Sequence, residues 1–293
     1  MTRSWDRQVR ITPERPNHGD SLPDVGYQHI EVERDGHVAT VWMSRPEKRN
    51  ALSADMWEDV PAAMTELDAD DSVRVVILAA RGTAFTVGID IEMLASMQPD
   101  GQSSAASSME LYETIKTMQR TASCFADSPK PVIAAVQGYC LGAGVDLITA
   151  CDIRLAAEDA IFSIRETRMG LVADIGTLQR LPAIVGAGHA AYLALTGMDI
   201  DARQALAIGL VNQVHPDQET AFRAARDVAD QIADNSPLVV SGVKRVLAAN
   251  DGRTVEQALD YVAHWNASFL ISNDLMEAVS AFMEKRKPDF TGS

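Results

Sequence analysis

Three acidic residues lie where their carboxylates could carry protons. Glu166 and Asp174 are eight residues apart in RETRMGLVADIG, and Asp146 lies in the apolar run GAGVDLITACD. Burying an ionised carboxylate is costly unless it is paired or functional. Burial and neighbouring carboxylates both raise a carboxyl pKa, so this set could act as acids and bases near neutral pH. Two plainer interpretations stay open: the acids could be solvated loop residues, and Asp146 could only orient another group.

Two loops that contain glycine could stabilise a developing negative charge. FTVGID at 85–90 and GYCLGAGVD at 138–146 each follow a predicted strand and precede a predicted helix. Glycine lets the backbone approach a ligand closely, and the first turn of a helix has N–H groups without partners. Two such groups aimed at one point would form an oxyanion hole. The alternative is ordinary turn chemistry between strand and helix.

Local patterns predict the elements that position these residues. Alternation on both sides of Asp35-Gly36 indicates a hairpin, and Ser53 can begin a helix with apolar residues at helical spacing. The other predicted elements are strands at 73–80 and 131–136, two short strands in IRLAAEDAIF at 153–162, and helices from about 89, at 109–127, after Gly138, and at 217–235, 237–249, 254–270 and 273–286.

This order predicts three parts. We expect a flexible N-terminal arm at 1–26, an α/β core at 27–215 and a helical C-terminal part at 216–293. The stretch 98–108, rich in Ser, Gly and Gln, is predicted to be a mobile loop.

Composition excludes several classes of function. With 26 basic and 41 acidic residues, the net charge is −15, which argues against a nucleic-acid or anionic-membrane partner. Three cysteines without CxxC spacing, no apolar run of membrane-spanning length and no signal peptide favour a reduced, cytoplasmic location. The six histidines have no metal-ligand spacing, so no metal site is predicted. GAGHAA at 186–191 satisfies a dinucleotide fingerprint but lacks the strand that should precede it, so we reject it.

Longer motifs resemble the crotonase superfamily, the enoyl-CoA hydratase/isomerase proteins. The most specific is PKPVIAAVQGYCLGAGVDLITACDIRLAAEDAIFSIRE, and RPEKRNAL, AFTVGIDI, ARQALAIGLVNQV and AFMEKRKPDF agree with it. The resemblance spans roughly residues 27–290. It implies a spiral of ββα units, with a helical C-terminal part that forms a homotrimer or a dimer of trimers. It also implies an acyl-CoA thioester substrate and no cofactor, because coenzyme A is part of the substrate.

The resemblance assigns roles to particular residues. The N–H groups of Ile89 and Ala143 would hold the thioester oxygen. The further substrate and coenzyme A residues that it implies are Lys48, Arg49, Thr86, Gly88, Asp90, Gly144, Phe282 and Lys285. Phe282 and Lys285 fall in a motif that reaches the coenzyme A of a neighbouring subunit in hydratases.

The acids indicate the branch of the superfamily. Typical hydratases carry Glu at the position of Asp146 and a small residue at that of Asp174, whereas this chain resembles the Δ3,5-Δ2,4-dienoyl-CoA isomerases, which carry an Asp, Glu, Asp set at this spacing. Our hypothesis is that Glu166 abstracts the C2 proton, Asp174 protonates C6 and Asp146 orients or tunes the pair. The reverse assignment of Glu166 and Asp174 stays open. So does an enoyl-CoA hydratase, while a non-catalytic scaffold has no reason to keep buried carboxylates.

Overall fold

The structure is a computed structural model that describes residues 26–96 and 105–293. The predicted arm at 1–26 lies outside these residues except for Gly26, as does most of the predicted loop at 98–108. The last part of that stretch is helical, because α3 begins at Ala105.

The described residues form nine strands and twelve α-helices. The strands are β1 Ile30–Asp35, β2 Val38–Met43, β3 Val75–Ala80, β4 Val132–Val136, β5 Tyr139–Leu141, β6 Ile153–Ala157, β7 Ile161–Ser163, β8 Ile200–Asp201 and β9 Gln213–His215. The helices are α1 Ala54–Ala69, α2 Ile91–Ser96, α3 Ala105–Asp127, α4 Ala143–Ala150, α5 Glu166–Met169, α6 Thr177–Val185, α7 Ala187–Thr196, α8 Ala202–Ala207, α9 Gln218–Ala233, α10 Pro237–Ala249, α11 Val255–Phe269 and α12 Asn273–Glu284.

Most of the predicted elements are present. The hairpin of β1 and β2 turns at Asp35-Gly36, and the Ser53 side chain caps α1 by accepting a hydrogen bond from the Met56 N–H. The helices α5–α8 and the strands β5, β8 and β9 were not predicted. These three strands have only two or three residues each, too few for periodicity to reveal.

The strands form two sheets. Six strands have the order β1-β2-β3-β4-β6-β9, all parallel except the β1–β2 pair, and a second sheet has the order β5-β7-β8. The large sheet is buried on both faces: alternate residues of β3 face the main core or the side covered by α9. On the α9 side the rings of Trp42 and Phe222 pack with centroids 4.7 Å apart.

Three successive units of this fold have the same plan. A strand of the large sheet is followed by a segment in the second layer and then by a helix: β4, β5 and α4, and next β6, β7 and α5. The unit of β3 and α2 has only Thr86 in the second layer, where it pairs with Cys140. This is the predicted ββα spiral. Because β3, β4 and β6 are neighbours, the three second-layer segments lie side by side, and Gly88, Ala143 and Glu166 follow them.

Of the C-terminal helices, α9 covers the large sheet, and α10 is joined to α3 and to the segments that precede β4 and β6. The Lys244 side chain on α10 donates hydrogen bonds to the carbonyl oxygens of Phe125 and Lys130 and to the Asp152 carboxylate. Apolar side chains on α10–α12 are nevertheless widely exposed: Leu247, Val255, Met276, Phe282 and Met283 are each more than 60% exposed. The boundaries at 27–215 and 216–293 stay predictions.

Candidate active site

Glu166 is placed against the loop that begins α4. A Cβ added to Gly142, which has φ +53°, would lie 3.3 Å from Glu166 Oε1. Glycine at 142 therefore provides both the backbone conformation and the space for this carboxylate. Glu166 begins α5, and Gly170 ends that helix in the left-handed conformation. The Glu166 carboxylate consequently lies beside the N–H end of α4, where Ala143 is the first residue.

Asp146 lies fully buried beneath this point. Its Oδ1 accepts a hydrogen bond of 2.5 Å from the N–H of Thr177, the first residue of α6. Within the described chain its Oδ2 accepts no hydrogen bond. Burial raises the pKa of Asp146 to about 7, and the nearby Glu166 and Asp174 also raise it, while hydrogen bonding from Thr177 opposes the shift. The Thr177 N–H holds the Asp146 carboxyl group in place, and a role of Asp146 in orienting Glu166 or Asp174 stays a prediction.

Asp174 lies half-buried on the segment between α5 and α6. Its flanking residues Ala173 and Ile175 are buried, but Leu171 and Val172 are exposed, so the apolar surroundings noted in the sequence are core on one side only. Burial raises the pKa of the Asp174 carboxyl. Its carbonyl oxygen accepts a hydrogen bond of 2.7 Å from Gln119 on α3.

The three carboxyl groups share one electrostatic environment. Burial, followed by repulsion from Asp174, raises the pKa of Glu166 as well. All three shifts have the same direction because each group is desolvated and because no cation among the described residues compensates its charge. The set therefore holds protons at higher pH than free carboxyl groups do, which suits acid–base catalysis near neutrality.

The two glycine loops meet beside Glu166. A Cβ added to Gly88, at φ +93°, would lie 3.0 Å from the Leu141 carbonyl oxygen and 3.6 Å from the Ala143 nitrogen. In the described part of the chain, the N–H groups of Ile89 and Ala143 have no hydrogen-bond acceptor. Two unused N–H groups on adjoining loops, next to a carboxylate, are the arrangement that an oxyanion hole and its base require. Their role in binding a thioester oxygen stays a prediction.

Thr86 and Asn50 support the glycine loop at 85–90 through hydrogen bonds. The fully buried Thr86 hydroxyl donates to the Asn50 carbonyl at 2.5 Å and accepts from the Gly88 N–H at 3.1 Å. The Asn50 side chain, also buried, donates to the carbonyl oxygens of Arg81 and Ala84. Asn50 was not predicted as a site residue, although it lies in the turn RPEKRNAL, and its φ of +54° is one that Asn tolerates.

Asp90 and Gly144 also have supporting contacts. The Asp90 carboxylate pairs with Arg45 at 2.6 Å and accepts from the Glu92 N–H, so Arg45 holds its pKa below the usual range. A Cβ added to Gly144 would lie 2.6 Å from the Thr86 methyl group. Both residues thus fix the two loops to their surroundings. Direct contact of Thr86, Asp90 or Gly144 with a substrate stays a prediction.

The predicted coenzyme A residues lie at the surface. Lys48 and Arg49 are exposed, and the Lys48 ammonium lies 3.2 Å from the Glu92 carboxylate. Phe282, which is 85% exposed, and Lys285 lie at the end of α12. A contact between that end and the site of a neighbouring subunit stays a prediction.

The described residues form neither a metal-binding cluster nor a dinucleotide-binding strand at GAGHAA. They include no group of three or more His, Cys, Asp or Glu side chains arranged to hold a metal ion. GAGHAA lies at the junction of α6 and α7 and is preceded by a helix, so the strand that a dinucleotide site needs is absent there, as the sequence indicated.

Replacing Asp146 by Asn should stabilise the protein in a pH-dependent way. The folded-state pKa of Asp146 is raised from 3.8 to about 7. Its contribution to stability is therefore present below about pH 4 and is lost as pH rises towards 7. Asn carries no such cost, so we expect its gain in unfolding free energy to be about 2 kcal/mol larger at pH 8 than at pH 5.

Urea unfolding at the two pH values measures this difference. Asp251→Asn, at an exposed turn residue, is the matched control and should show no pH-dependent gain. An Asp146→Asn effect that is equal at both pH values would contradict the buried, proton-holding state of Asp146.

Comparisons with known proteins agree with this fold. The family model for enoyl-CoA hydratase/isomerase matches residues 33–293. The peroxisomal Δ3,5-Δ2,4-dienoyl-CoA isomerase of Arabidopsis thaliana is 45% identical over 90% of this chain and 97% of its own, and the mitochondrial one of Dictyostelium discoideum is 41% identical over 92% of each chain. The crystal structure of enoyl-CoA hydratase from Bacillus anthracis superposes with a TM-score of 0.84 at 30% identity, covering 91% of this chain and all of that one.

The ββα spiral and its paired glycine loops define a crotonase-type protein. The chain belongs to the enoyl-CoA hydratase/isomerase family, whose members act on acyl-CoA thioesters.

Proposed function

We propose that this protein is a Δ3,5-Δ2,4-dienoyl-CoA isomerase of fatty acid β-oxidation. The observation that carries the proposal is the third carboxyl group: Asp174 lies in the same electrostatic environment as Asp146 and Glu166. The two relatives that share 41% and 45% identity are named for this activity, which favours it over the hydratase alternative.

The proposed reaction moves one proton and shifts two double bonds. Glu166 removes a proton from C2 of the 3,5-dienoyl thioester, and the electron pair spreads through the diene to the carbonyl oxygen. The N–H groups of Ile89 and Ala143 hold that oxygen as negative charge develops. Asp174 then delivers a proton to C6, which leaves double bonds at C2 and C4. Solvent exchange returns both carboxyl groups to their starting states, and the reaction balances without a cofactor.

Two acids suit this reaction better than one. C2 and C6 are separated by three carbon atoms, so one carboxylate would have to move along the substrate between the two steps. Two fixed groups with raised pKa values can each serve one carbon without moving. Asp146, held by the Thr177 N–H, tunes the pair through its electrostatic coupling to both carboxyl groups.

The quaternary structure and location belong to the same proposal. We propose that the exposed apolar faces of α10–α12 form the contacts of a homotrimer or of a dimer of trimers, which the mass in solution tests. The cytoplasmic location stays a prediction. None of the helices in the described ranges is long and apolar enough to cross a membrane, and the relatives are named as peroxisomal or mitochondrial.

A paired assay tests the proposed activity. Purified protein receives a 3,5-dienoyl-CoA and, separately, a 2-trans-enoyl-CoA, and ultraviolet absorbance is followed. We expect rising absorbance from the conjugated 2,4-diene with the first substrate and a much slower loss of the enoyl band with the second. Rapid loss of the enoyl band without diene formation would make the protein a hydratase instead.

A further inference from the structure

Gln119 connects α3 to the segment that carries Asp174. Its Nε2 donates to the Asp174 carbonyl oxygen at 2.7 Å, and its Oε1 accepts from the Lys116 ammonium at 2.8 Å. An ammonium group only donates and a carbonyl only accepts, so the two partners fix which end of the amide faces which group. Lys116, Gln119 and Asp174 thus form a directed chain of hydrogen bonds.

This chain is the main polar restraint on the Asp174 segment. Across the ranges that the structure describes, the Gln119 bond is the only hydrogen bond that another element makes to residues 172–175. A short irregular segment without a ladder of backbone bonds has little else to fix its position apart from the packing of Ala173 and Ile175. Loss of the Gln119 bond would therefore release the carboxyl group of Asp174 more than it would disturb the surrounding helices.

The other two acids do not depend on Gln119. Glu166 begins α5 and lies against Gly142, and Asp146 lies inside α4 and is bound by the Thr177 N–H. The base proposed for C2 and the acid proposed for C6 are thus held by different contacts. One of them can be displaced while the other keeps its place.

We propose that Gln119 is a positioning residue that determines whether the dienolate is protonated at C6 or returns to C2. The inference rests on the proposed isomerase function. With Gln119 in place, Asp174 is held where it can deliver a proton to C6. Without it, the dienolate still forms at Glu166 but takes its proton back at C2, so the starting 3,5-diene is regenerated.

Gln119→Met tests the inference, because Met has a similar length and cannot make either hydrogen bond. Wild-type and variant proteins are incubated with a 3,5-dienoyl-CoA in D₂O. Diene formation is followed by absorbance, and deuterium at C2 of the recovered substrate is measured by mass spectrometry. We expect isomerisation to fall about 10-fold, since misplacing a reacting group by about 1 Å can cost 100-fold. Exchange at C2 should stay within about 2-fold of wild type.

Two further variants sharpen the test. Gln179→Met is the matched control, because Gln179 is an exposed glutamine on α6, and it should change neither rate. Lys116→Met removes only the group that orients the Gln119 amide. It should lower isomerisation less than Gln119→Met, by about 3-fold, again with exchange preserved. It also keeps the inference testable if Gln119→Met folds poorly.

The ratio of the isomerisation rate to the C2 exchange rate tests the inference. Equal losses of isomerisation and exchange would show that Gln119 supports the whole site, and unchanged rates would show that it has no part in positioning Asp174; either result would overturn the inference. Absence of isomerisation by the wild-type protein would instead contradict the proposed function itself.

Discussion

Asp174→Asn should lower the rate of 2,4-diene formation by about 1,000-fold while C2 exchange with solvent continues. General acid catalysis contributes about 100- to 10,000-fold, and an amide of the same shape cannot deliver the proton to C6. Glu166 and its place against Gly142 are unchanged in this variant, so the dienolate should still form and collapse back to substrate. The measurement combines absorbance with the deuterium content of recovered substrate.

The Asp174→Asn substitution should remove the acid and leave the contacts of residue 174 unchanged. The side chain is half-buried, and the hydrogen bond that Gln119 donates goes to the backbone carbonyl, so Asn at 174 keeps that bond. Asp71→Asn, at an exposed loop residue, provides the control for changing an acid to an amide. Diene formation at the wild-type rate in Asp174→Asn would remove Asp174 from the mechanism and return the hydratase-like two-acid site as the better description.

Glu166→Gln has the largest expected effect, about 10,000-fold, on isomerisation and on C2 exchange alike. A base that starts the reaction is needed for every later step, and the amide cannot accept the C2 proton. Gln has the shape of Glu and fits the space beside Gly142, so the loss should lie in kcat with KM little changed. Isomerisation and C2 exchange at the wild-type rates in Glu166→Gln would contradict the assignment of Glu166 as the base.

Together, Asp174→Asn and Glu166→Gln show which acid serves C2 and which serves C6. If the roles were reversed, with Asp174 as base at C2, Asp174→Asn would abolish exchange and Glu166→Gln would preserve it. The proposed assignment predicts the opposite pattern. Exchange at C2 therefore separates the two hypotheses, which diene formation alone cannot do because both variants lose it.

Much of the fold could be predicted because its signals are local. Asp35-Gly36 between alternating runs indicates a hairpin, and Ser53 before apolar residues at helical spacing indicates a capped helix; both are present. The pairing of the second sheet could not be predicted in the same way, although its strand β7 was expected. This sheet consists of strands of two or three residues whose pairing depends on neighbours far along the chain, such as Tyr139 with Ile161.

The site residues also fall into two groups, those that local sequence patterns indicated and those that they did not. The acids and glycines stood out because a carboxylate among apolar residues and a glycine between strand and helix are unusual on their own. Asn50, Arg45 and Gln119 did not stand out, since their roles arise from partners that are distant in sequence: Arg45 pairs with Asp90 across 45 positions, and Gln119 bonds to Asp174 across 55. Such contacts exist only once the chain has folded.

The most direct test of the two-acid account follows the hydrogen itself. Wild-type protein converts a 3,5-dienoyl-CoA deuterated at both C2 positions in ordinary water, and the 2,4-dienoyl product is analysed for deuterium at C2 and C6. If Glu166 takes the deuteron and Asp174 delivers a different proton, the product should keep one deuterium at C2 and carry ordinary hydrogen at C6. Substantial transfer of deuterium from C2 to C6 would show that one carboxyl group serves both carbons and would contradict the account.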